Sequence, residues 1–345
     1  MFYGTIWALL PPVVAIALAL ITKEVYSSLF LGIVVGAALV AGFAPVRTLD
    51  IIINDGFIAG VADAWNVGIF LFLILLGILV ALMNRAGGSA AFGRWAEKNV
   101  HTRAGAMLAT FLLGVLIFVD DYFNCLTVGS VMRPVADGHR ISRAKLAYLI
   151  DATAAPICMI APISSWAAAV GSSLPESSTL DGFSLFLKTI PLNLYALLTL
   201  AFLIWLMAAD FDFGPMKKYE LAHKDDDLSL IEETHVVAGS GKVYDLILPI
   251  SVLIVLCIAG MLYTGGILEG ANIVEAFANC DSSTALVLGS FFTLLFTFVL
   301  YIPRKVLSFG QFCEAFTEGF KAMVPAILIL TLAWTLSGVC REEYL

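Results

Sequence analysis

The chain has 345 residues, of which 60% are hydrophobic and only 13% charged, with a mean hydropathy of +0.95. Soluble domains run nearer about 45–50% apolar and about 25% charged, so the composition excludes a soluble globular protein and indicates an integral membrane protein. The net charge of −8 comes mainly from one acidic loop, 210–243, and says little about partners beyond the lipid bilayer.

The first 22 residues contain no Lys or Arg, so the basic start of a cleavable signal peptide is missing and the apolar N-terminus reads as a retained membrane helix. A spanning helix needs about 20 apolar residues. Nine candidates follow in chain order, near 5–22, 26–43, 67–83, 104–119, 146–171, 186–209, 244–263, 283–302 and 323–340. Their apolar runs are continuous rather than alternating, which predicts helices and argues against an outer-membrane barrel. A tenth apolar segment, 121–132, is too short to cross as a helix. The six cysteines form no CxxC pair, and five lie in or beside apolar segments, as small buried hydrophobes do.

Basic residues sort by side. All of the 19 except Arg47, Lys188 and Arg341 fall in five connections, at Lys23, 84–103, 133–145, 210–243 and 303–321. The positive-inside rule then predicts an external N-terminus and a cytoplasmic 210–243 loop. Both 84–103 and 133–145 must be cytoplasmic, so residues 104–132 are expected to enter the membrane and return on the same side. The corner of that hairpin carries Asp120 and Asp121, followed by Asn124, Thr127 and Ser130. A charged side chain at membrane depth costs roughly 2.5–3.5 kcal/mol even on a lenient scale, so carboxylates retained there point to function. Two adjacent carboxylates repel, and a site that can hold either a proton or a cation is the simplest physical basis for exchange. On a helix, Asp120, Asn124 and Thr127 would share a face, which ranks Asp120 ahead of Asp121.

The next segment, 146–171, holds Asp151, Thr153, Pro156, Pro162, Ser164 and Ser165. Its prolines predict a broken helix whose freed carbonyls and hydroxyls can replace an ion's water shell. The bland alternative for Asp151 is a helix-end residue paired with Lys145 or Arg143. The acidic run Asp225–Asp227 with Glu232 and Glu233 reads as a solvated linker. Neither a Walker motif nor HExxH nor a paired-cysteine metal site occurs, so neither an enzyme nor a bound cofactor is expected.

The chain also repeats itself. Trp7–Ala15 resembles Tyr244–Val252, Ser28–Gly36 resembles Ala285–Phe292, and Asn54–Phe57 resembles Thr317–Phe320, all in the same order. An odd number of crossings separates the copies, which predicts an inverted repeat. The expected organisation is a first repeat over 1–209, an acidic cytoplasmic linker over 210–243, and the start of a second repeat over 244–345. Because no counterpart of 104–171 follows the second copy, a C-terminal truncation is expected. The fold class expected is therefore an all-α polytopic membrane transporter with inverted repeats, a re-entrant hairpin and a proline-broken helix.

The stretch FVDDYFNCLTVGSVMRPVADGHRISRAKLAYLIDATAAPICMIAPISSWAAAVGS, 118–172, closely resembles the signature region of NhaC-type Na⁺/H⁺ antiporters, within a larger ion-transporter superfamily. The LLPP start and the DGF and EGF segments are similar more loosely. The resemblance implies secondary, gradient-driven exchange in a bacterial inner membrane. It implies an ion path through Asp120, Asp121, Asn124, Thr127, Asp151, Thr153, Ser164 and Ser165, with Na⁺ at Asp120, Asp121 and Asn124. Related proteins move organic acids such as dicarboxylates or lactate, or amino acids, so a Na⁺- or H⁺-coupled carrier of such solutes stays open, as does a non-transporting partial copy. Small ions are the expected partners; a homo-oligomer is compatible with the sequence, and nucleic acid is not expected.

Overall fold

The computed structural model describes residues 6–118, 121–161, 164, 166, 182–223 and 241–340. Asp120, Ser165, Pro162, the acidic run at 225–233 and the final residues 341–345 lie outside the described residues. Among the described residues there is helix and no strand. Five of the described helices are long and apolar enough to cross a membrane, and three shorter apolar helices accompany them among the described residues. The protein is an all-α, multi-pass membrane protein.

The helices gather into two compact units, Met1–Ile74 with Phe320–Leu345, and Leu75–Gly319. In the first unit, α1 (Leu10–Thr22) starts on Pro11 and Pro12, which suit a first turn because their missing N–H groups need no partner there. It turns into α2 (Val25–Val40), whose N-cap Glu24 accepts from Tyr26 N at 3.1 Å and Ser27 N at 2.7 Å. Hydrogen bonds from the Ser27 side chain and backbone hold the Glu24 carboxyl below its usual range. Helix α3 (Pro45–Asp50) runs into a π-helical stretch, Ile51–Ile58, which contains the Asn-Asp-Gly-Phe segment, and then into α4 (Ala59–Ala62). The core of this unit is Ile33, Ala37, Ala41, Ile51, Ile52 and Val339.

Helix α5 (Ala64–Arg85) leads into the second unit, where α6 (Gly88–Asn99), α7 (Arg103–Leu116), α8 (Asp121–Gly138) and α9 (Arg143–Cys158) follow. After them come α10 (Gly182–Thr189), α11 (Leu194–Ala209), α12 (Gly214–His223), α13 (Tyr244–Thr264), α14 (Ile273–Ala278) and α15 (Ser282–Tyr301). The last helix, α16, runs from Phe309 to Val339.

Several boundaries differ from the sequence expectation, each for a local reason. The return arm of the hairpin does not stop at residue 132, because α8 continues through Arg133 and Pro134 to Gly138. The segment 186–209 is not one helix: Pro191 interrupts it in a short 3₁₀ turn, and Asn193 caps α11 by accepting from Ala196 N at 3.1 Å. The 303–321 connection is short, since Ser308 and Gln311 form a capping box that starts α16 at Phe309 and places Lys321 inside the helix. The break in the 146–171 segment comes after Pro156 rather than at it. Helix α9 passes through Pro156 and ends at Cys158.

Charges tie the ends of the helices in the second unit. Lys145, fully buried, lies 2.8 Å from Asp212, and Arg103 lies 2.5 Å from Glu220, which also accepts from Ser142 N at 3.2 Å. These contacts bring the starts of α7 and α9 to the C-terminal end of α11 and to α12. His139 Nε2 adds a 2.9 Å contact to Val100 O, joining the end of α8 to the approach to α7. The α7–α8 hairpin therefore begins and ends at the same place. Elsewhere in the unit, Arg85 reaches Glu314 at 2.7 Å and Glu318 at 2.6 Å, and Arg304 pairs with fully buried Asp245 at 2.6 Å.

Glycines set how closely two of the helix pairs approach. A Cβ on Gly32 would stand 2.9 Å from Ala15 Cβ between α1 and α2. One on Gly289 would stand 2.6 Å from Cys257 Sγ and 2.8 Å from Cys257 N between α13 and α15. Small residues allow this approach where no hydrophobic force draws helices together in lipid. We expect Gly289→Val to destabilise the detergent-solubilised protein by at least about 2 kcal/mol, the usual cost of overpacking, in a tryptophan-fluorescence melt. Gly310→Ala, which meets nothing within 4 Å, should leave the melt unchanged. Lys145→Met should cost about 3 kcal/mol by leaving buried carboxylates underpaired, and adding Asp212→Asn should recover part of that loss.

Candidate functional site

The candidate site is built where α7, α8 and α9 meet. Helix α7 is started by Thr102, whose hydroxyl accepts from Gly105 N at 3.0 Å, and it ends at Leu116, where Ile117 leaves helical geometry. A helix end leaves carbonyls without partners, and in lipid such groups must be satisfied by protein. Asn124 satisfies two of them. Its Nδ2 donates to Gly114 O at 2.6 Å and to Ile117 O at 2.8 Å. This fixes the orientation of the amide, since the opposite flip would set its oxygen against two carbonyls.

The remaining oxygens are then left over. Asn124 and Thr127 are both fully buried, three residues apart on α8, and neither Asn124 Oδ1 nor Thr127 Oγ1 has a hydrogen-bond partner among the described residues. A buried polar atom without a partner costs about 1–3 kcal/mol, so the pair is expensive as it stands. Thr153 on α9 is also buried and donates to Leu149 O at 2.6 Å. It packs on Gly114, where a Cβ would come within 2.9 Å of the Thr153 methyl and 3.5 Å of Asn124 Oδ1. The missing side chain at Gly114 is what allows this close approach of α7 and α9.

Asp121 opens α8 and is half-buried, three residues before Asn124 and hence its neighbour on the helix surface. It accepts from Trp166 Nε1 at 3.2 Å and lies within electrostatic range of Asp151. Asp151 itself is exposed on α9. Neither of its expected basic neighbours is available: Lys145 is held by Asp212, and Arg143 by Asp137 at 2.6 Å. Ser164 is buried and donates to Cys158 O at 2.6 Å and Ala161 O at 3.0 Å, closing the end of α9.

The structure thus gathers Asn124, Thr127 and Thr153, with Asp121 at the rim. It sets Asp151 on an exposed surface nearby and gives Ser164 a capping role. Three participants escaped the sequence reading. The carbonyls of Gly114 and Ile117 carry no side-chain signature, although a glycine three residues before the break was a hint. Trp166 could have been found, because an indole N–H in an apolar run needs a partner. The Lys145–Asp212 and Arg103–Glu220 pairs depend on residues about 70 and about 120 positions apart meeting in space. Among the described residues, no group of three or more His, Cys, Asp or Glu could hold a metal ion.

Comparison with known proteins places the chain. The Na⁺/H⁺ antiporter family matches residues 168–343, about half of the chain and downstream of the α7–α9 site. An uncharacterized protein of Haemophilus influenzae is 34% identical over 356 aligned positions, which cover 99% of this chain and 68% of that protein. No solved structure matches. A family match over half the length of the chain shows that this multi-pass membrane protein belongs to the Na⁺/H⁺ antiporter family.

Proposed function

We propose that the protein exchanges Na⁺ for H⁺ across a bacterial cytoplasmic membrane, by competition at a carboxylate site in the α7–α8 hairpin. The observation that carries this reading is the pair of buried, unpartnered oxygens, Asn124 Oδ1 and Thr127 Oγ1, one turn and two turns along the helix from Asp121. A dehydrated Na⁺ needs oxygens in place of water, and neutral amide and hydroxyl oxygens supply them without excess charge. Asp121, with Asp120 before it, supplies a negative charge that a proton can cancel. Na⁺ bound at Asp120, Asp121 and Asn124 and a proton bound at the carboxylates exclude one another, so loading one ion releases the other. Thr153 lines the same space, while Asp151, Ser164 and Ser165 belong to the path leading to it.

In the same reading the N-terminus is outside, the linked ends of α7, α8, α9 and α11 face the cytoplasm, and the α1–α2 and α13–α15 pairs are the inverted repeat copies. The membrane potential contributes about 2.3 kcal/mol per charge per 100 mV, so exchange of more than one proton per sodium drives Na⁺ outward. The chemistry asked of the chain is binding and release, with no covalent step.

Asp121→Asn and Asp120→Asn should each abolish Na⁺-dependent proton movement in everted vesicles; undiminished exchange in both would remove the carboxylate site. Asn124→Ala and Thr127→Val should raise the Na⁺ concentration for half-maximal exchange by about tenfold, the worth of one strong polar contact, with a smaller change in maximal rate. Flux measured with Na⁺, Li⁺ and K⁺ beside small carboxylates and amino acids separates cation exchange from a coupled organic-solute carrier. Stimulation of ion flux by one of those solutes would favour the carrier.

A further inference from the structure

Two short helices lie beside the hairpin and cannot cross the membrane. Helix α6 has 12 residues and α12 has 10. They rise about 18 Å and about 15 Å, against a hydrocarbon layer about 30 Å thick. Helix α6 fills the gap between the end of α5 and the start of α7, and it packs on α8 where a Cβ on Gly93 would stand 3.2 Å from Pro134 Cβ. Helix α12 is held at the starts of α7 and α9 by Glu220, through Arg103 and Ser142 N. Both short helices therefore belong to the end of the second unit at which α7 and α9 begin.

Each of them carries two exposed cations, Arg94 and Lys98 on α6 and Lys217 and Lys218 on α12. The carboxylates described at this end are engaged elsewhere. Asp210, Asp212 and Glu220 lie within 4 Å of Arg103 or Lys145, and Asp137 is taken by Arg143 at 2.6 Å. Glu97 is the only acidic residue of α6, and among the described residues none of the four cations forms an ion pair. Arg94 and Lys98 stand one turn apart on one helix face, where like charges repel. An anion from outside the chain would relieve that repulsion.

Aromatic rings flank both pairs. Trp95, 51% exposed, precedes Lys98 by three residues and packs on Phe92 with ring centroids 5.3 Å apart. Ahead of Lys217, Phe211 meets Trp205 at 5.6 Å and stacks on Phe213 at 6.1 Å, and all three rings are exposed. Tryptophan beside lysine and arginine marks a membrane–water boundary, with the ring at headgroup level and the charge just beyond it. A soluble anion has no use for exposed rings, whereas a phospholipid presents a phosphate and an acyl chain together. We propose that α6 and α12 form a docking surface for anionic phospholipid, in which Arg94, Lys98, Lys217 and Lys218 hold the headgroup phosphates and Trp95 and Trp205 rest against the acyl chains. This surface continues the lipid contact that a multi-pass protein makes all round, and it adds selectivity for charge.

The test is quenching of tryptophan fluorescence in the full chain, purified in a non-ionic detergent and titrated with brominated phosphatidylglycerol or brominated phosphatidylcholine. Phosphatidylglycerol should reach half-maximal quenching at a concentration lower by about tenfold or more. Neutralising any one of the four cations, as in Arg94→Gln or Lys218→Gln, should raise that concentration by about fivefold, the worth of one basic residue at an anionic surface. Arg94→Lys, which keeps the charge, should change it little. The preference should disappear in the wild type at about 1 M salt, where screening acts over about 3 Å. Part of the quenching specific to phosphatidylglycerol should be lost in Trp95→Phe and part in Trp205→Phe, and none in Trp7→Phe, whose ring is exposed in the other unit. Soluble glycerol phosphate should not compete.

Equal affinity of the wild type for the two lipids would overturn the proposal, and that arm needs no variant to fold. So would a preference that survives neutralisation of all four cations in a protein whose melt in phosphatidylcholine is unchanged. Competition by glycerol phosphate would mean a site for free phosphate, with no part for the acyl chain. Arg94→Gln and Lys98→Gln variants that change the oligomeric mass and leave the lipid preference intact would mean that a second copy covers the face. None of these readouts involves flux, so the result stands apart from the exchange reading.

Discussion

The hairpin depends on one side chain, the Asn124 amide, which donates to both Gly114 and Ile117 at the end of α7. A helix that stops inside hydrocarbon exposes carbonyls that neither water nor lipid can satisfy. With the amide nitrogen spent on those carbonyls, the amide oxygen must point elsewhere. It lies beside Gly114 and Thr153, where the missing Cβ of Gly114 lets the Thr153 methyl and the amide oxygen come close. The unpartnered oxygen on which the proposed site rests is thus a by-product of how the helix is terminated. In the proposed exchange, structural and functional demands would meet on the two ends of one amide group.

The same economy appears at the base of the hairpin. Arg103 and Lys145 start two helices and are both answered by acidic groups from α12 and the turn before it. A buried ion pair gains little net stability over an apolar pair, but it is costly to break, and it fixes where the partners sit. The base is therefore specified by charge while the corner is specified by backbone carbonyls. Between them, α7 and α8 need no long apolar stretch of their own, and at 14 and 18 residues they remain short beside α5 or α15.

Much of this was legible in the sequence. Composition and continuous apolar runs were enough for an all-helical membrane protein, because the cost of unpaired backbone in lipid leaves few options. The return of the hairpin was an expectation from charge, with the basic residues of 84–103 and 133–145 on one side; in the structure Arg103 and Lys145 both lie within 4 Å of Asp210 and Asp212. Boundaries were harder to read. The segment 146–171 was expected as a proline-broken helix, yet α9 runs through Pro156 to Cys158, and Pro134 likewise sits within α8, which membrane proteins tolerate when neighbours satisfy the freed groups. Pro191, within a segment read as one helix, does interrupt it. At the site, Asn124, Thr127 and Thr153 were legible as polar residues in apolar company. Which atom of Asn124 would be left over was not, because that depends on backbone carbonyls ten and seven residues upstream.

Helix α16 has a consequence of its own. Its 31 residues extend about 46 Å, against a hydrocarbon layer about 30 Å thick. Glu314, Glu318 and Lys321 lie in its first half, and because charged side chains are costly among acyl chains the headgroup zone is the cheaper place for that half. The Arg85 contacts to Glu314 and Glu318 are made there. How deeply they sit is set by the length of the surrounding acyl chains. A thicker bilayer draws the ion pairs toward the dry interface, where the attraction between them strengthens, and a thinner one leaves them in water, where such pairs are worth about 0–1 kcal/mol. The grip between α5 and α16 is thereby coupled to the lipid the cell makes.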